Sequence, residues 1–383
     1  MFKELLALGE FSKHMIRKNM SELYFLPAQH GDAFFLHCQK GEEEGWIVVD
    51  GGASGNTKFN PFIKLIETLP SRDLMILTHH DDDHLAGIRA YIKKHKKENP
   101  FPVKRLWVNC ARHFDFPEGG DLSANHASNL ADVLKEIEET QSLQWKDIIM
   151  EGYVDESIKF ADIDILNPSW EMLEMFIPLY EEKAGYPVET KGSDLTAQRS
   201  NEDYGISLEE LAQREKQKPS EINYGELVNM VSIAFIVSCD GLNGLMLGDC
   251  FPDLIVEALK SREFSKENKL HLNFMKVAHH GSRNNISNEL LDMIDCQNYL
   301  ISTNGGAAQS YHPDREAMAN IICHEGRDKT KTVHLFFNYK LAEIETRKNF
   351  KLFHDEEYEA FNFVIHEPKA DAASNNYYVA LAV

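Results

Sequence analysis

Thr78-His79-His80-Asp81-Asp82-Asp83-His84 follows directly on the apolar run Leu74-Met75-Ile76-Leu77. Four successive aliphatic residues leave no polar face, so the run reads as a short buried strand. A strand that ends in clustered imidazoles and carboxylates constrains everything built around it. Burying one neutral polar group without a partner costs roughly 2–7 kcal/mol, and a charge costs more. Packing alone does not offset that cost; a divalent cation does. A solvated loop is the competing explanation for any Asp/His cluster. Here the strand before it and the small residues Ala86 and Gly87 after it favour metal. Oxygen ligands harden such a site, which suits Mn and Mg while still accepting Zn. Alternation along the chain turns His80 and Asp82 away from the ligand face.

The chain has 383 residues, 43% of them hydrophobic, enough for one large core with an insertion or for two domains. Its formal net charge is −21. Nucleic-acid affinity rests largely on Lys and Arg displacing counterions, so tight non-specific duplex binding by the isolated chain is not expected. A small anionic substrate at a local metal site, or nucleic acid bound with a basic partner, stays compatible. Cys38, Cys110, Cys239, Cys250, Cys296 and Cys323 form no C-x-x-C pair. Reduced thiols and a cytoplasmic location are the expectation. Leu5-Leu6-Ala7-Leu8 is too short, and too closely flanked by charge, for a signal peptide. No run approaches the roughly 18–20 apolar residues of a membrane span.

Residues 1–20 read as an amphipathic helix or tail, and 21–383 as the main domain. Strands are predicted at Leu23–Leu26, Ala33–Cys38 and Trp46–Val49, then a helix over Asn60–Thr68 with Pro61 near its start. After Leu74–Leu77 a helix is predicted over His84–Lys97, ending in basic residues, and a strand over Val103–Asn109. From about Ser169 to Leu227 the chain turns polar and shows no strand signal; it reads as a helical or partly disordered insertion. Strands resume at Val231–Val237 and Gly244–Leu247. A helix at Asp253–Arg262, a strand at Asn273–Val277 and a helix near Asn288–Ile294 follow. Next come a strand at Tyr299–Ser302 and a helix at Pro313–Cys323. Phe361–His366 and Tyr377–Leu381 read as a closing hairpin. Alternating strands and helices imply a layered α/β sandwich.

The cluster resembles the signature of the metallo-β-lactamase superfamily, Thr-His-x-His-x-Asp-His at a strand end. His79, Asp83 and His84 match it, and Asp81 stands where the second histidine is usual. That variant resembles the hydrolase domain of bacterial competence DNA-internalisation channel proteins and its stand-alone relatives. The resemblance implies a four-layer αββα sandwich, here carrying the helical insertion at about 169–227. The membrane channel that such domains accompany is expected to be absent.

Further motifs align with the same family. Gln29-His30-Gly31-Asp32-Ala33 resembles its Gly-Gln-Gly-Asp-Ala turn, with His30 in place of glycine. Read alone, it is an ordinary hairpin turn. Val48-Val49-Asp50-Gly51-Gly52 resembles the Asp-x-Gly whose Asp50 braces the metal loop without ligating. Leu247-Gly248-Asp249 resembles the Gly-Asp that bridges two metals, after the Asn229-x-x-Ser232 pair also seen in the family. Lys276-Val277-Ala278-His279-His280-Gly281-Ser282 resembles the His-His-Gly-Ser in which one imidazole binds metal and its neighbour faces phosphate. His280 is taken as ligand and His279 as the phosphate or leaving-group contact, with the reverse left open. Tyr311-His312-Pro313 resembles the family's late His-Pro; His312 lines the pocket or braces a helix.

The ligand set implied is His79 and Asp81 for one ion and Asp83, His84 and His280 for a second. Asp249 bridges them, with the two Zn or Mn ions about 3.5–4 Å apart. Asp83, Asp249 and His279 carry the catalytic roles. Asp32, Asp50, Lys276, Ser282 and His312 support the site or touch substrate. Lys276 or Arg283 is read as offsetting charge on a leaving phosphate, and Arg283 equally as a surface residue. The usual third-motif histidine has no clear counterpart; His113, His126 or no side chain at all are the alternatives. The expected function is a phosphodiesterase or nuclease acting on nucleic acid or a nucleotide. The alternatives are a metal-bound subunit of a bacterial immunity complex, docking through the insertion, and a hydrolase of a lactam, thioester or other ester. No membrane partner is expected.

Overall fold

In a computed structural model, residues 21–56, 60–109, 115–116, 128–183, 203–214, 224–306, 311–368 and 379–382 are described. The first sheet has seven strands in the order Val379–Ala382, Glu22–Phe25, Phe34–Lys40, Glu43–Val49, Leu74–Leu77, Arg105–Val108 and Gln144–Lys146. The second also has seven: Phe363–His366, Val333–Phe337, Asn298–Ile301, Phe274–Lys276, Leu242–Met246, Ala234–Cys239 and Asp162–Asn167. Each sheet is antiparallel at one side and parallel at the other.

Side-chain alternation divides each strand between two cores. In the first sheet Phe25, Leu36, Val49 and Ile76 face inward. They pack on Phe235, Met246, Phe274 and Leu300 of the second sheet. Their neighbours Tyr24, Phe35, Val48 and Met75 face outward, against Phe62, Leu85, Ile88, Tyr91 and Leu134 of three helices. The outer face of the second sheet, with Ile236, Leu245, Met275 and Ile301, packs on Val256, Leu259, Leu291, Met318 and Ile322. Strands buried on both faces explain the near-continuous apolar runs in the sequence. The layers are helix, sheet, sheet, helix: the expected αββα sandwich.

Several predicted boundaries move by a few residues. The helix after the His/Asp cluster is Asp82–His95, so Asp83 and His84 lie within its first turn. Asp82 and Asp83 at that end, and Lys93, Lys94 and His95 at the other, complement the helix dipole. The closing hairpin is wrong. Phe363–His366 pairs parallel with Val333–Phe337 in the second sheet, whereas Val379–Ala382 pairs antiparallel with Glu22–Phe25 in the first. Asp162–Asn167 and Val333–Phe337 are strands that periodicity did not single out. The described parts of 169–227 are the helices Trp170–Lys183, Leu208–Ala212 and Tyr224–Met230, with the turn from Asp203. Residues 1–20 lie outside the described residues. Among the described residues no helix is long and apolar enough to cross a membrane.

Candidate metal centre

The site forms where strands of both sheets end. Leu74–Leu77 delivers Thr78 to His84, Leu242–Met246 delivers Asp249, and Phe274–Lys276 delivers His279 and His280. Open α/β sheets place ligands at such carboxyl ends. The loops are tied across the sandwich: Ile233 N donates to the Thr78 carbonyl (2.8 Å), and Asp249 N to Ser232 Oγ (3.3 Å). Gly31 is required by a close approach, because a Cβ there would fall 1.7 Å from the Asp83 carbonyl oxygen.

Asp249 is the hub. Its Oδ2 lies 3.5 Å from His280 Nε2, 3.8 Å from His279 Nε2 and 3.9 Å from His79 Nε2. Its Oδ1 lies 3.5 Å from His84 Nε2. Asp81 Oδ2 is 3.7 Å from His79 Nε2, and Asp83 Oδ2 is 3.2 Å from His280 Nε2. All six sequence-predicted ligands thus share one cluster with His279. The Nε2 atoms of His79, His84 and His280 are buried and have no hydrogen-bond partner. Three imidazole nitrogens without hydrogen-bond partners, beside three carboxylates, fit a cation.

The far side of each ring is held. His84 Nδ1 faces Asp50 Oδ2 at 2.7 Å, His280 Nδ1 faces the Ser302 carbonyl at 2.9 Å, and His79 Nδ1 faces Thr78 Oγ1 at 3.1 Å. Such contacts set the tautomer and leave Nε2 for a metal. Asp50 is fully buried and also accepts from Thr78 N (2.8 Å) and Thr78 Oγ1 (2.7 Å). It braces the loop from behind.

Among the described residues Asp32, His84, Asp249 and His280 each bring one ligand atom within 4.8 Å of the others, close enough to hold an ion. Asp32 nevertheless faces the Nδ1 side of His280, at 3.4 Å, and pairs with Lys276. We read it as a brace, because its charge is already met. Lys276 is itself fully buried; Nζ donates to the Gly248 carbonyl (2.7 Å) and lies 3.4 Å from Asp249 Oδ1. Its ammonium therefore holds Asp249 and Asp32 and does not reach toward a leaving phosphate.

Five carboxylates crowd one ammonium here, and the titration of the site reflects it. Burial, and then the charge of Asp83, push the Asp81 carboxyl up to about 8. Burial opposes charge on His84 and His280. Asp249 first, with Asp50 for His84 and Asp32 for His280, still holds both well above the usual imidazole value. Burial holds His79 well below it and takes His279 down to about 4. Against its own burial, Lys276 takes Asp32 down to about 2. The cluster gathers positive charge, and protons occupy groups that a divalent cation would take over.

Ser282 is buried; its Oγ accepts from Asn284 N (3.4 Å) and shapes the turn. His312 is 6% exposed, with Nδ1 3.5 Å from Asp314 and its ring 5.1 Å from that of His279. Arg283 is no surface residue. It is 6% exposed and pairs with Asp203 (3.2 Å), Glu316 (3.3 Å) and Asp314 (3.4 Å). That network ties the 203–214 segment to the His279–Ser282 turn and leaves Arg283 away from any leaving group. Asp82 pairs outward with Arg89 at 2.9 Å, and His80 packs on Phe176. His113 and His126 lie outside the described residues. Asn285 and the Ser302 carbonyl, which orient His279 and His280, went unnoticed in the sequence. Asn285 follows the His-His-Gly-Ser motif with no signal of its own, and a backbone carbonyl has none to give.

No known protein family and no curated protein matches the chain. Among solved structures, a Parabacteroides distasonis protein assigned as a metal-dependent hydrolase shares 14% identity at a TM-score of 0.35, over 90% of this chain and 93% of that one. The metallo-β-lactamase fold protein YhfI of Bacillus subtilis shares 8% at 0.37, over 95% and 100%. A variant of the β-hydroxylase CmlA shares 10% at 0.38; the match covers 96% of this chain and 54% of that one. Likenesses this distant say nothing of activity, and the fold stands on the sheets described above.

Proposed function

We propose that this protein is a metal-dependent hydrolase, and more narrowly a phosphodiesterase acting on nucleic acid or a nucleotide. The observation that carries the metal is the convergence of orphaned Nε2 atoms from His79, His84 and His280 on Asp249, beside Asp81 and Asp83. Five carboxylates against Lys276 leave a formal charge near −4, which two divalent cations balance. His79 and Asp81 would hold one ion, Asp83, His84 and His280 the other, and Asp249 both. Bound there, the pair supplies a hydroxide at neutral pH and offsets charge on both oxygens of an in-line displacement.

The chain's own residues prepare that chemistry. Asp50, Thr78 and Ser302 fix the tautomers of the ligand rings. Lys276 keeps Asp249 in place while leaving Oδ2 to the histidines. His279 and His312 stand side by side at the edge of the cluster. The phosphodiester class is supported by the family resemblance of the His-His-Gly-Ser and His-x-Asp-x-Asp-His motifs.

The test is hydrolysis of bis(p-nitrophenyl) phosphate, linear DNA, RNA and cyclic dinucleotides after chelation and reloading with Mn or Zn. Turnover is expected only with metal, and Asp83→Ala and Asp249→Ala should fold yet stay at background. Turnover by metal-free, folded protein counts decisively against this function. A partner-dependent enzyme is the second reading. It is favoured by Trp170 (44% exposed) and Met175 (58%) on the helix that opens the insertion. Full activity of the purified chain alone would dismiss it.

A further inference from the structure

Among the described residues the first ion would have only His79, Asp81 and the shared Asp249, because none of them supplies a third-motif histidine. We propose that His279 fills this place, as a ligand of the first ion and not as a phosphate contact. This rests on the metal-dependent reading above.

Three geometric facts carry it. First, His279 Nε2 is as close to Asp249 Oδ2 (3.8 Å) as the proposed ligand His79 is (3.9 Å). Donors bound about 2.0–2.2 Å from one ion sit roughly 3–4 Å apart.

Second, the tautomer of His279 can be read from its neighbours. The Asn285 amide donates through Nδ2 to the carbonyls of Asp249 (3.1 Å) and Cys250 (3.2 Å). Its Oδ1 therefore faces His279 Nδ1, at 3.1 Å, and must accept. Nδ1 carries the hydrogen, and Nε2 presents a lone pair. A lone pair suits a metal ion and repels a phosphate oxygen. The other ligand rings of this site have the same arrangement, with Nδ1 bound to an oxygen and Nε2 directed inward.

Third, the backbone is bent to bring both rings in. His279 (φ 47°) and His280 (φ 55°) are consecutive left-handed residues. Each is strained relative to ordinary backbone. The turn is held by His279 N to the Gly248 carbonyl (3.2 Å) and Ser282 N to the His279 carbonyl (2.9 Å). It sets the two imidazoles 72° apart, both with Nε2 within 4 Å of Asp249 Oδ2.

The experiment counts metal, with no reliance on turnover. The full chain is chelated, reloaded with Mn(II) and passed through gel filtration. Bound ions are then measured by elemental analysis, and spin coupling by electron paramagnetic resonance. His279→Gly and His279→Asn both tolerate positive φ, so the turn survives, and circular dichroism in chelator checks the fold. Wild type should hold two coupled ions and each variant about one. Free imidazole should restore the second ion to His279→Gly, and His113→Ala and His126→Ala should keep both. Variants that keep two coupled ions and lose only orthophosphate binding would overturn the assignment in favour of a phosphate contact. Loss of an ion from His113→Ala or His126→Ala, with both kept in the His279 variants, would overturn it too. Wild type that binds no ion overturns the metal reading itself, and this inference with it.

Discussion

Asp50 and His84, 34 positions apart, are joined by a 2.7 Å hydrogen bond in which His84 Nδ1–H donates to Asp50 Oδ2. The bond runs from the end of the strand Glu43–Val49 to the first turn of the helix Asp82–His95 and sets the direction of His84 Nε2. In Asp50→Asn the amide can still accept from Thr78 N, but it turns an N–H toward His84. Loss of such an outer partner typically weakens metal binding about 10–100-fold. Chelator competition should show a drop of that size with the fold kept; unchanged affinity would remove Asp50 from the bracing role.

Asp81 raises the oxygen share of the ligand set, which weakens discrimination in favour of Zn. Chelated wild type is expected to regain activity with Mn at least as well as with Zn, and Asp81→His to shift toward Zn. Add-back of each metal to both proteins measures this. A wild type that works only with Zn, and a mutant that behaves the same, would show that Asp81 does not set the preference.

The Asp81 carboxyl, raised from 3.8 to about 8 without metal, must shed its proton before it can ligate. The share of apparent metal affinity that depends on Asp81 should therefore climb from pH 6 and flatten above about pH 8. Asp81 contributes up to about tenfold per pH unit, one proton's worth. The same shift bears on stability. Between pH 4 and 8 the native carboxyl holds a proton that the unfolded chain has released, so the metal-free fold loses stability as pH rises through that window. Asp81→Asn should flatten both profiles by one proton. Calorimetric titration and thermal melts in chelator read them, and identical slopes in mutant and wild type would contradict the raised pKa.

Gly31→Ala places a Cβ 1.7 Å from the Asp83 carbonyl oxygen, a backbone atom that cannot swing away. Forcing volume into a packed contact costs about 1–3 kcal/mol or more. The displaced group belongs to the metal loop, so a lower melting temperature should come with lost metal. A variant that melts and binds metal like wild type would show that this approach is not tight.

The side chains that cluster at the candidate site were visible in the sequence because chemistry concentrated them at strand ends. His79 to His84, Asp249 and His279-His280 each follow an apolar run, and polar groups placed there are too costly to bury without a purpose. The layered sandwich was legible too, since strands buried on both faces read as apolar blocks between amphipathic helices. Partners distant along the chain were beyond its reach. Lys276 faces Asp32 and Asp249, and Arg283 is enclosed by Asp203, Asp314 and Glu316; only packing decides such pairs. The two C-terminal strands looked like a hairpin and went to opposite sheets, because strand pairing is set by open sheet edges and not by nearness in sequence. Local pattern named the donors. Tertiary structure alone decided their tautomers, their neutralising charges and which nitrogen of each imidazole faces Asp249, because those depend on contacts made across the sandwich.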